Sequence, residues 1–292
     1  MKKKRWYLFW IALALLIWYL YSQERETNDK KEALNFQQSS SKSSLSSDEE
    51  SKKQKFDFLP VSNHNRKTQV LSYKCFTLSF VHQFRMAEWV AYSLTKQQVL
   101  AQDMERSNDF RPDSRVNSAL PTDYLHSGYD RGHLCPSEDM NYDPVCMSES
   151  FLMTNIAPQI PDFNRGIWKS LENHVRIWAK ENEVLYVVTG PVFTQNMEKI
   201  GKNQIPVPKY FYKIILDYHQ PEYKMIGFLI PNEKSERSLL EFRVSVDSIE
   251  ALTGIDFFPA LPDHIEDKFE DSNFNEPLFS GLSDRPKKKR KK

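Results

Sequence analysis

The residues best suited to chemistry form one short run, Asp130-Arg131-Gly132-His133-Leu134-Cys135-Pro136. Gly132 and Pro136 disfavour a helix, so we predict a strand end or a turn that displays polar side chains. A neutral imidazole such as that of His133 can accept a proton from water near pH 7. The Arg131 guanidinium beside it is a permanent planar cation suited to a phosphate. Taken alone, however, a histidine next to an arginine is more often structural than catalytic.

A second polar group follows at the start of a predicted helix over residues 164–180. Asn164, Trp168 and Glu172 are spaced by four, so we expect them to share one helix face. Amide and carboxylate oxygens are the hard ligands that Mg²⁺ prefers. The residues alone favour a plainer interpretation, in which Asn164 caps the helix and Glu172 lies on a solvated face. The opposite face carries the apolar stripe Ile167, Leu171, Val175 and Trp178.

Strands and helices must position these two groups, and the hydrophobic pattern predicts both. A long ordered loop is expected over 93–123, and a second helical segment over 235–252. Strands mixed irregularly with helices favour an α+β fold over a regular alternation. The predicted strands cover 73–80, 89–92, 184–189, 211–216 and 223–230.

The N-terminus carries a nearly unbroken apolar run over 6–21 that follows a basic start. We predict an uncleaved signal-anchor, a single transmembrane helix within 1–22, with the positive flank on the cytoplasmic side. The rest of the chain would then be extracytoplasmic, in the periplasm or at the cell surface. A cleaved secretory signal is the alternative, which would release the protein, but Leu20-Tyr21-Ser22-Gln23-Glu24 is a poor cleavage site.

Composition divides the remainder of the chain. Residues 23–69 are rich in Ser and Lys and are predicted to be a disordered tether. Residues 70–262 are predicted to be the folded domain, and 263–292 a polar tail that ends in a basic run. That run resembles a nuclear localisation signal, which conflicts with export. It can instead concentrate nucleic acid near the domain, or simply aid solubility.

Charge and cysteine content leave several questions open. Lys and Arg total 40 and Asp and Glu total 39, so the net charge of +1 indicates no partner. Cys75, Cys135 and Cys146 do not form a disulfide scaffold or a zinc-type pair. One disulfide with one free thiol and three buried thiols remain equally compatible with the sequence. Cys135 beside His133 is expected to be a small buried filler rather than a redox site.

Three motifs together resemble a known family. They are Asp130-Arg-Gly-His133 followed by Pro136, Asn155-Ile-x-Pro-Gln159, and Phe163-Asn-x-Gly-x-Trp-x-x-Leu-Glu172. In this order and spacing they resemble the DNA/RNA non-specific endonucleases, which include the Serratia nuclease and endonuclease G. This family belongs to the ββα-metal, or His-Me finger, superfamily. The resemblance extends over 73–259 and implies a central antiparallel sheet flanked by helices.

The resemblance implies a role for each matching residue. His133 matches the general base that activates water for attack on phosphorus. Asn164 matches the direct protein ligand of Mg²⁺, for which Mn²⁺ is the alternative ion. Glu172 matches the carboxylate that holds the metal through water, and Arg131 matches an arginine that contacts the phosphate.

Two further matches concern support of the reaction. Asn155 matches an active-site asparagine that positions the catalytic groups. Arg106 matches a second arginine that stabilises the transition state. This alignment passes through a variable loop, and Arg111 is therefore a rival for that role. Asp130 is expected to shape the turn rather than to take part in the chemistry.

The implied activity is metal-dependent hydrolysis of DNA and RNA to products with 5′-phosphates, with little sequence preference. One alternative is a catalytically silent module that binds nucleic acid, although intact His133, Asn164, Glu172 and Arg131 argue against it. Another is a phosphodiesterase for small phosphate esters. The expected partners are DNA, RNA and a membrane. The sequence leaves open a homodimer and an inhibitor protein.

Overall fold

The structure, a computed structural model, describes residues 58–101, 104–219, 223–262 and 279–282. The predicted membrane anchor, most of the predicted tether and the basic run lie outside these residues. Within the described ranges, no helix combines the length and the apolar character needed to cross a membrane. The described residues all belong to one compact unit that begins at Phe58.

A seven-stranded antiparallel sheet forms the centre of this unit, in the order β12-β11-β10-β7-β4-β3-β2. The central strands are largely apolar on both faces because both faces are covered; in β10, every residue from Phe211 to Asp217 is buried. Three two-stranded ladders accompany the sheet, namely β1 with β13, β5 with β6, and β8 with β9. The strands are β1 (Val61–Ser62), β2 (Thr68–Ser72), β3 (Thr77–Val81), β4 (Met86–Thr95), β5 (Asp130–His133), β6 (Ile156–Gln159), β7 (Val184–Val192), β8 (Lys199–Ile200), β9 (Ile205–Pro206), β10 (Tyr210–Asp217), β11 (Lys224–Pro231), β12 (Arg243–Val244) and β13 (Ile255–Asp256).

Helices cover the sheet. The long helix α3 packs one face through Leu171, Val175 and Trp178, which confirms the predicted apolar stripe. On the other face, Tyr212 and Ile214 of β10 join a second core with residues of α4 and β13. The helices are α1 (Lys96–Leu100), α2 (Pro144–Ser150), α3 (Lys169–Glu181) and α4 (Val246–Thr253).

The β5–β6 hairpin and the helix that follows it form a ββα unit. His133 pairs with Ile156, and Asp130 pairs with Gln159, in an antiparallel register. The chain then passes through a π-helical turn, Phe163–Trp168, into α3. An antiparallel central sheet with flanking helices confirms the predicted α+β fold.

The helix predicted over 164–180 is not continuous. Gly166 has φ −103° and ψ −109°, outside the helical region, so the π-turn and α3 meet at a break. The prediction that Trp168 shares a face with Asn164 and Glu172 was therefore wrong. Trp168 is fully buried against Phe163 and Phe211 in the core. The pattern of spacings by four assumed a regular helix, which the glycine interrupts.

Ordered structure begins earlier than the predicted domain boundary at residue 70. Val61 and Ser62 form β1, which pairs with β13, and β2 begins at Thr68. Part of the predicted tail also packs on the domain, since the Phe279 ring lies 4.8 Å from that of Trp178. The Trp178 indole also donates to the Ser280 carbonyl at 2.8 Å.

Helix α1 lies within the predicted loop over 93–123, and helix α2 lies after it. Helix α1 has a capping box, in which Thr95 and Gln98 each bond the backbone of the other. Helix α2 begins after Asp143, whose side chain accepts from two backbone amides. Helix α2 is joined to the β2–β3 turn by a disulfide between Cys75 and Cys146.

Candidate active site

A cavity of about 530 Å³ lies beside the ββα unit and is large enough for part of a nucleotide chain. Strand β5, the π-turn, the start of α3 and the segment before β5 contribute to its wall. Five of the predicted site residues line it, whereas Asn155 and Arg111 do not. The five are Arg106, Arg131, His133, Asn164 and Glu172.

His133 lies at the end of β5, where its ring is held between two aromatic side chains. The ring centroid is 4.8 Å from that of Phe151 and 5.4 Å from that of Phe110. The residue is 8% exposed. Burial, together with the positive charges of Arg106 and Arg131, lowers the pKa of His133 from 6.5 to about 3. The imidazole is therefore neutral near pH 7, which is the protonation state that a general base requires.

We expect the His133 ring to show no protonation in NMR spectra recorded between pH 8 and pH 4.5. The unfolded chain binds a proton at this histidine below about pH 6.5, whereas the folded chain binds it only below about pH 3. The free energy of unfolding should therefore decrease as the pH falls from about 6.5 towards 3. The same sample in urea supplies the control, because all histidines titrate there. A His133 titration near pH 6.5 in the folded protein would contradict this assignment.

The two arginines differ from Arg111 in what surrounds them. The Arg131 guanidinium lies 4.1 Å from the centroid of the Phe110 ring, and Arg106 donates to the Ser137 hydroxyl at 3.2 Å. Neither forms an ion pair with a carboxylate of the described residues. Arg111 instead donates to the backbone carbonyl and the hydroxyl of Ser148, and it pairs with Asp109. The geometry therefore places Arg106, and not its rival, at the cavity.

Asn164 is held by Asp130 rather than acting as a helix cap. Its amide nitrogen donates to Asp130 Oδ2 at 2.9 Å, and Arg165 binds the same carboxylate at 2.8 and 2.6 Å. Burial opposes ionisation of Asp130, but these hydrogen bonds outweigh it and lower the pKa of the carboxyl. The side-chain carbonyl oxygen of Asn164 accepts no hydrogen bond from any described residue. Asp130 thus orients Asn164, a role that the sequence analysis did not assign.

Glu172 lies in the first turn of α3 and opens to the cavity. Burial raises the pKa of Glu172 to about 7, and the positive charge of Lys213 opposes this rise. Its carboxylate accepts no hydrogen bond within the described part of the chain. Behind it, Arg176 is bonded to Asp139 at 2.7 Å and to Glu138 at 2.8 Å.

Lys213 is a functional candidate that the sequence analysis missed. It is fully buried in β10, and its ammonium nitrogen lies 4.8 Å from the Trp168 ring without a hydrogen-bond partner among the described residues. Burial lowers the pKa of Lys213, and the nearby Glu172 carboxylate opposes this. A lysine in the otherwise apolar run Phe-Tyr-Lys-Ile-Ile-Leu was the signal that could have revealed it.

Asn155 lies behind the cavity and binds the backbone next to His133. Its side chain accepts from the Cys135 amide at 2.9 Å and donates to the carbonyls of Cys135 at 2.9 Å and Ser150 at 2.8 Å. It therefore fixes the strand end after His133 against α2. Cys135 itself is buried, which raises the pKa of its thiol and keeps it unreactive.

Around one cavity, these residues place a neutral base, two arginines and an amide oxygen. Within the described part of the chain, the arginines have no carboxylate partner and the amide oxygen accepts no hydrogen bond. Among the described residues, no cluster of three or more His, Cys, Asp or Glu side chains could hold a metal. A Mg²⁺ ion needs only one or two protein oxygens and keeps several waters. The Asn164 carbonyl oxygen and the Glu172 carboxylate fit this requirement.

Comparison with known proteins agrees with this geometry. The model of the DNA/RNA non-specific endonuclease family matches residues 55–264. The chain belongs to this family. The family comprises metal-dependent nucleases that hydrolyse phosphodiester bonds, and the resemblance seen in the sequence is confirmed.

Individual relatives of this endonuclease family match over the same region. The chain is 34% identical to the mitochondrial nuclease EXOG of Danio rerio over 63% of its own length and 59% of the relative. It is 33% identical to a nuclease of Nostoc, over 67% of its own length and 75% of the relative. The chain thus spans about three-fifths of the length of the EXOG relative.

A solved structure of an EndoG/EndoGI complex shares the fold. It has a TM-score of 0.63 and 32% sequence identity, and the match covers 66% of this chain and 87% of that chain. The likeness supports the antiparallel sheet and the ββα unit of the endonuclease family.

Proposed function

We propose that this chain is a Mg²⁺-dependent endonuclease that hydrolyses both DNA and RNA. The observation that carries the proposal is the shared cavity, which the neutral His133 lines together with Arg106, Arg131 and Asn164. The side-chain carbonyl oxygen of Asn164 has no hydrogen-bond partner among the described residues. Family membership supports the same reaction class.

His133 acts as the general base. Its ring is neutral because burial and two arginines lower its pKa to about 3. Phe110 and Phe151 hold the ring in place, so that it can take a proton from a water molecule in the cavity. That water attacks phosphorus, the 3′ oxygen leaves, and the product carries a 5′-phosphate.

Arg106 and Arg131 neutralise charge on the phosphoryl oxygens. Both guanidinium groups lack a carboxylate partner among the described residues, so a phosphate can bind them without displacing an ion pair. Negative charge builds up on these oxygens in the transition state, where fixed cations stabilise it most strongly. Asn155 positions the backbone that follows His133 and does not line the cavity.

Asn164 and Glu172 would hold the metal, the former directly and the latter through water. A bound Mg²⁺ supplies Lewis-acid stabilisation of the phosphoryl and leaving oxygens. Mn²⁺ accepts the same oxygen ligands and is expected to substitute. Asp130 keeps the Asn164 carbonyl oxygen free by binding its amide nitrogen.

All the groups proposed to act on the substrate address its phosphate. Contacts to phosphate carry no information about base or sugar, so DNA and RNA should both be cleaved with little sequence preference. The test compares kcat/KM on plasmid DNA, on a long RNA and on a dinucleotide with one phosphodiester bond. Faster cleavage of both polymers supports the nuclease. Exclusive cleavage of the dinucleotide would indicate a phosphodiesterase for small esters, and binding without cleavage a silent module.

For location, we infer a membrane-anchored protein with an extracytoplasmic domain. The apolar run over 6–21 supports the anchor, and secretion after cleavage is the alternative. The disulfide between Cys75 and Cys146 supports an oxidising compartment, because disulfides are rare in the cytosol. A homodimer stays a prediction.

The disulfide is expected to stabilise the domain by about 2–4 kcal/mol, since it closes a long loop. In urea unfolding, reductant should lower the midpoint of the wild type. A double variant with Cys75→Ser and Cys146→Ser should show the lowered midpoint already and no response to reductant. Equal wild-type midpoints with and without reductant would contradict a structural disulfide.

A further inference from the structure

The charges that line the cavity do not balance. Four cationic and three anionic side chains line it: Arg106, Arg131, Arg165, Lys169, Asp130, Glu138 and Glu172. Two of the anions already have partners, because Asp130 is bound by Arg165 and Glu138 is bound by Arg176. Among the described residues that line the cavity, Arg106, Arg131 and Lys169 thus face one carboxylate that has no hydrogen bond or ion pair, that of Glu172.

This positive charge is more than the binding of one phosphodiester requires. A diester carries one negative charge, and the two arginines beside His133 are sufficient to bind it. Any metal held by Asn164 adds further positive charge. The remaining cation, Lys169, is therefore available for a second anionic group.

Lys169 is placed differently from the arginines. It is the first residue of α3, three residues before Glu172, and its side chain is exposed. Arg131 lies on β5, and Arg106 lies in the segment before β5. The Lys169 side chain forms no hydrogen bond or ion pair with any residue that the structure describes. No structural contact therefore explains a lysine here, at the mouth of the cavity.

We propose that Lys169 binds the phosphate next to the scissile one, so that the cavity recognises a polynucleotide strand rather than an isolated ester. This inference rests on the proposed nuclease function and names the substrate feature that the site reads. A lysine ammonium is a compact point charge, so the contact favours chain length without favouring a base.

The test measures salt dependence of binding in a cleavage-deficient background. The full-length chain with His133→Ala is titrated with a fluorescent DNA duplex in EDTA at several KCl concentrations. Lys169→Gln is added to this background, and Lys180→Gln is the matched control. Lys180 is also exposed on α3. It lies on nearly the same helix face about 16 Å further along, since eleven residues make about three turns.

The lost phosphate contact should reduce the slope of log affinity against log salt by about 0.9 in Lys169→Gln and leave it unchanged in Lys180→Gln. Affinity at low salt should fall about fivefold. An unchanged slope in Lys169→Gln, or an equal change in both variants, would overturn the inference.

A kinetic comparison separates this contact from an effect of Lys169 on Glu172. With His133 intact, the ratio of kcat/KM on plasmid to kcat/KM on the dinucleotide should fall about fivefold in Lys169→Gln. An equal loss of kcat/KM on both substrates would overturn the inference and would indicate that Lys169 acts through Glu172. A wild type that never cleaves contradicts the nuclease function, while the binding slopes still test Lys169.

Discussion

Replacing His133 by alanine should reduce kcat for plasmid cleavage by about 10²- to 10⁴-fold, the usual contribution of a general base. The ring is the one neutral imidazole among the residues that line the cavity, and burial with two arginines keeps its pKa at about 3. The variant removes the proton acceptor but leaves the phosphate-binding arginines and Asn164 in place. DNA binding in EDTA should therefore stay close to that of the wild type.

His126→Asn is the matched control for this variant. His126 is exposed on the segment that also contributes Tyr124, Leu125 and Tyr129 to the cavity wall. Its φ is 55°, a backbone conformation that asparagine tolerates. Activity within about twofold of wild type is expected for the control. A His133→Ala variant that folds normally and keeps most of its kcat would show that another group takes the proton.

Replacing Asn164 by alanine should reduce cleavage by at least about 10²-fold at low Mg²⁺ and raise the Mg²⁺ concentration needed for half-maximal activity. Loss of a group that merely supports a metal ligand lowers metal affinity by about 10- to 100-fold, and a direct ligand should matter at least as much. Alanine removes the free carbonyl oxygen, and it also releases Asp130 from its hydrogen bond.

The measurement is a Mg²⁺ titration of plasmid nicking, with Asn117→Ala as the control. Asn117 is exposed outside the cavity and accepts a hydrogen bond from Arg85. The control should follow the wild-type Mg²⁺ curve. If Asn164→Ala also follows it, with the same plateau, Asn164 does not bind the metal.

Local patterns were sufficient to predict the central strands and the order of the motifs. Strand β7 follows directly from a run of buried β-branched residues, and the same pattern predicts β10. The motif residues His133, Asn164 and Glu172 were predicted to act together, and they do line one cavity.

What the sequence could not provide depends on contacts between distant segments. The disulfide joins Cys75 and Cys146 across 71 residues, and nothing local selects that pair over one that includes Cys135. Arg106 was the predicted match, and Arg111 was its rival within one variable loop. The structure separates them, because Arg106 lines the cavity whereas Arg111 is bonded to Ser148.

A local break in a helix and contacts between distant segments account for the other differences. Gly166 interrupts the helix, so Trp168 turns into the core although its spacing places it with Glu172. Asp130 was expected only to shape a turn. Its hydrogen bond to Asn164 spans 34 residues, so the local sequence does not reveal it. Lys213 escaped notice because its strand is otherwise apolar and the charged groups near it, Glu172 and Asp139, lie on other elements.

The most direct test of the proposed metal-dependent nuclease activity incubates the purified full-length chain with supercoiled plasmid and with RNA, in Mg²⁺ and in EDTA. Both polymers should be cleaved in Mg²⁺, EDTA should stop both reactions, and added Mg²⁺ should restore them. The products should carry 5′-phosphates. Cleavage that continues in EDTA, or a wild type that binds both polymers and cuts neither with Mg²⁺ or Mn²⁺, would show that the proposed activity is wrong.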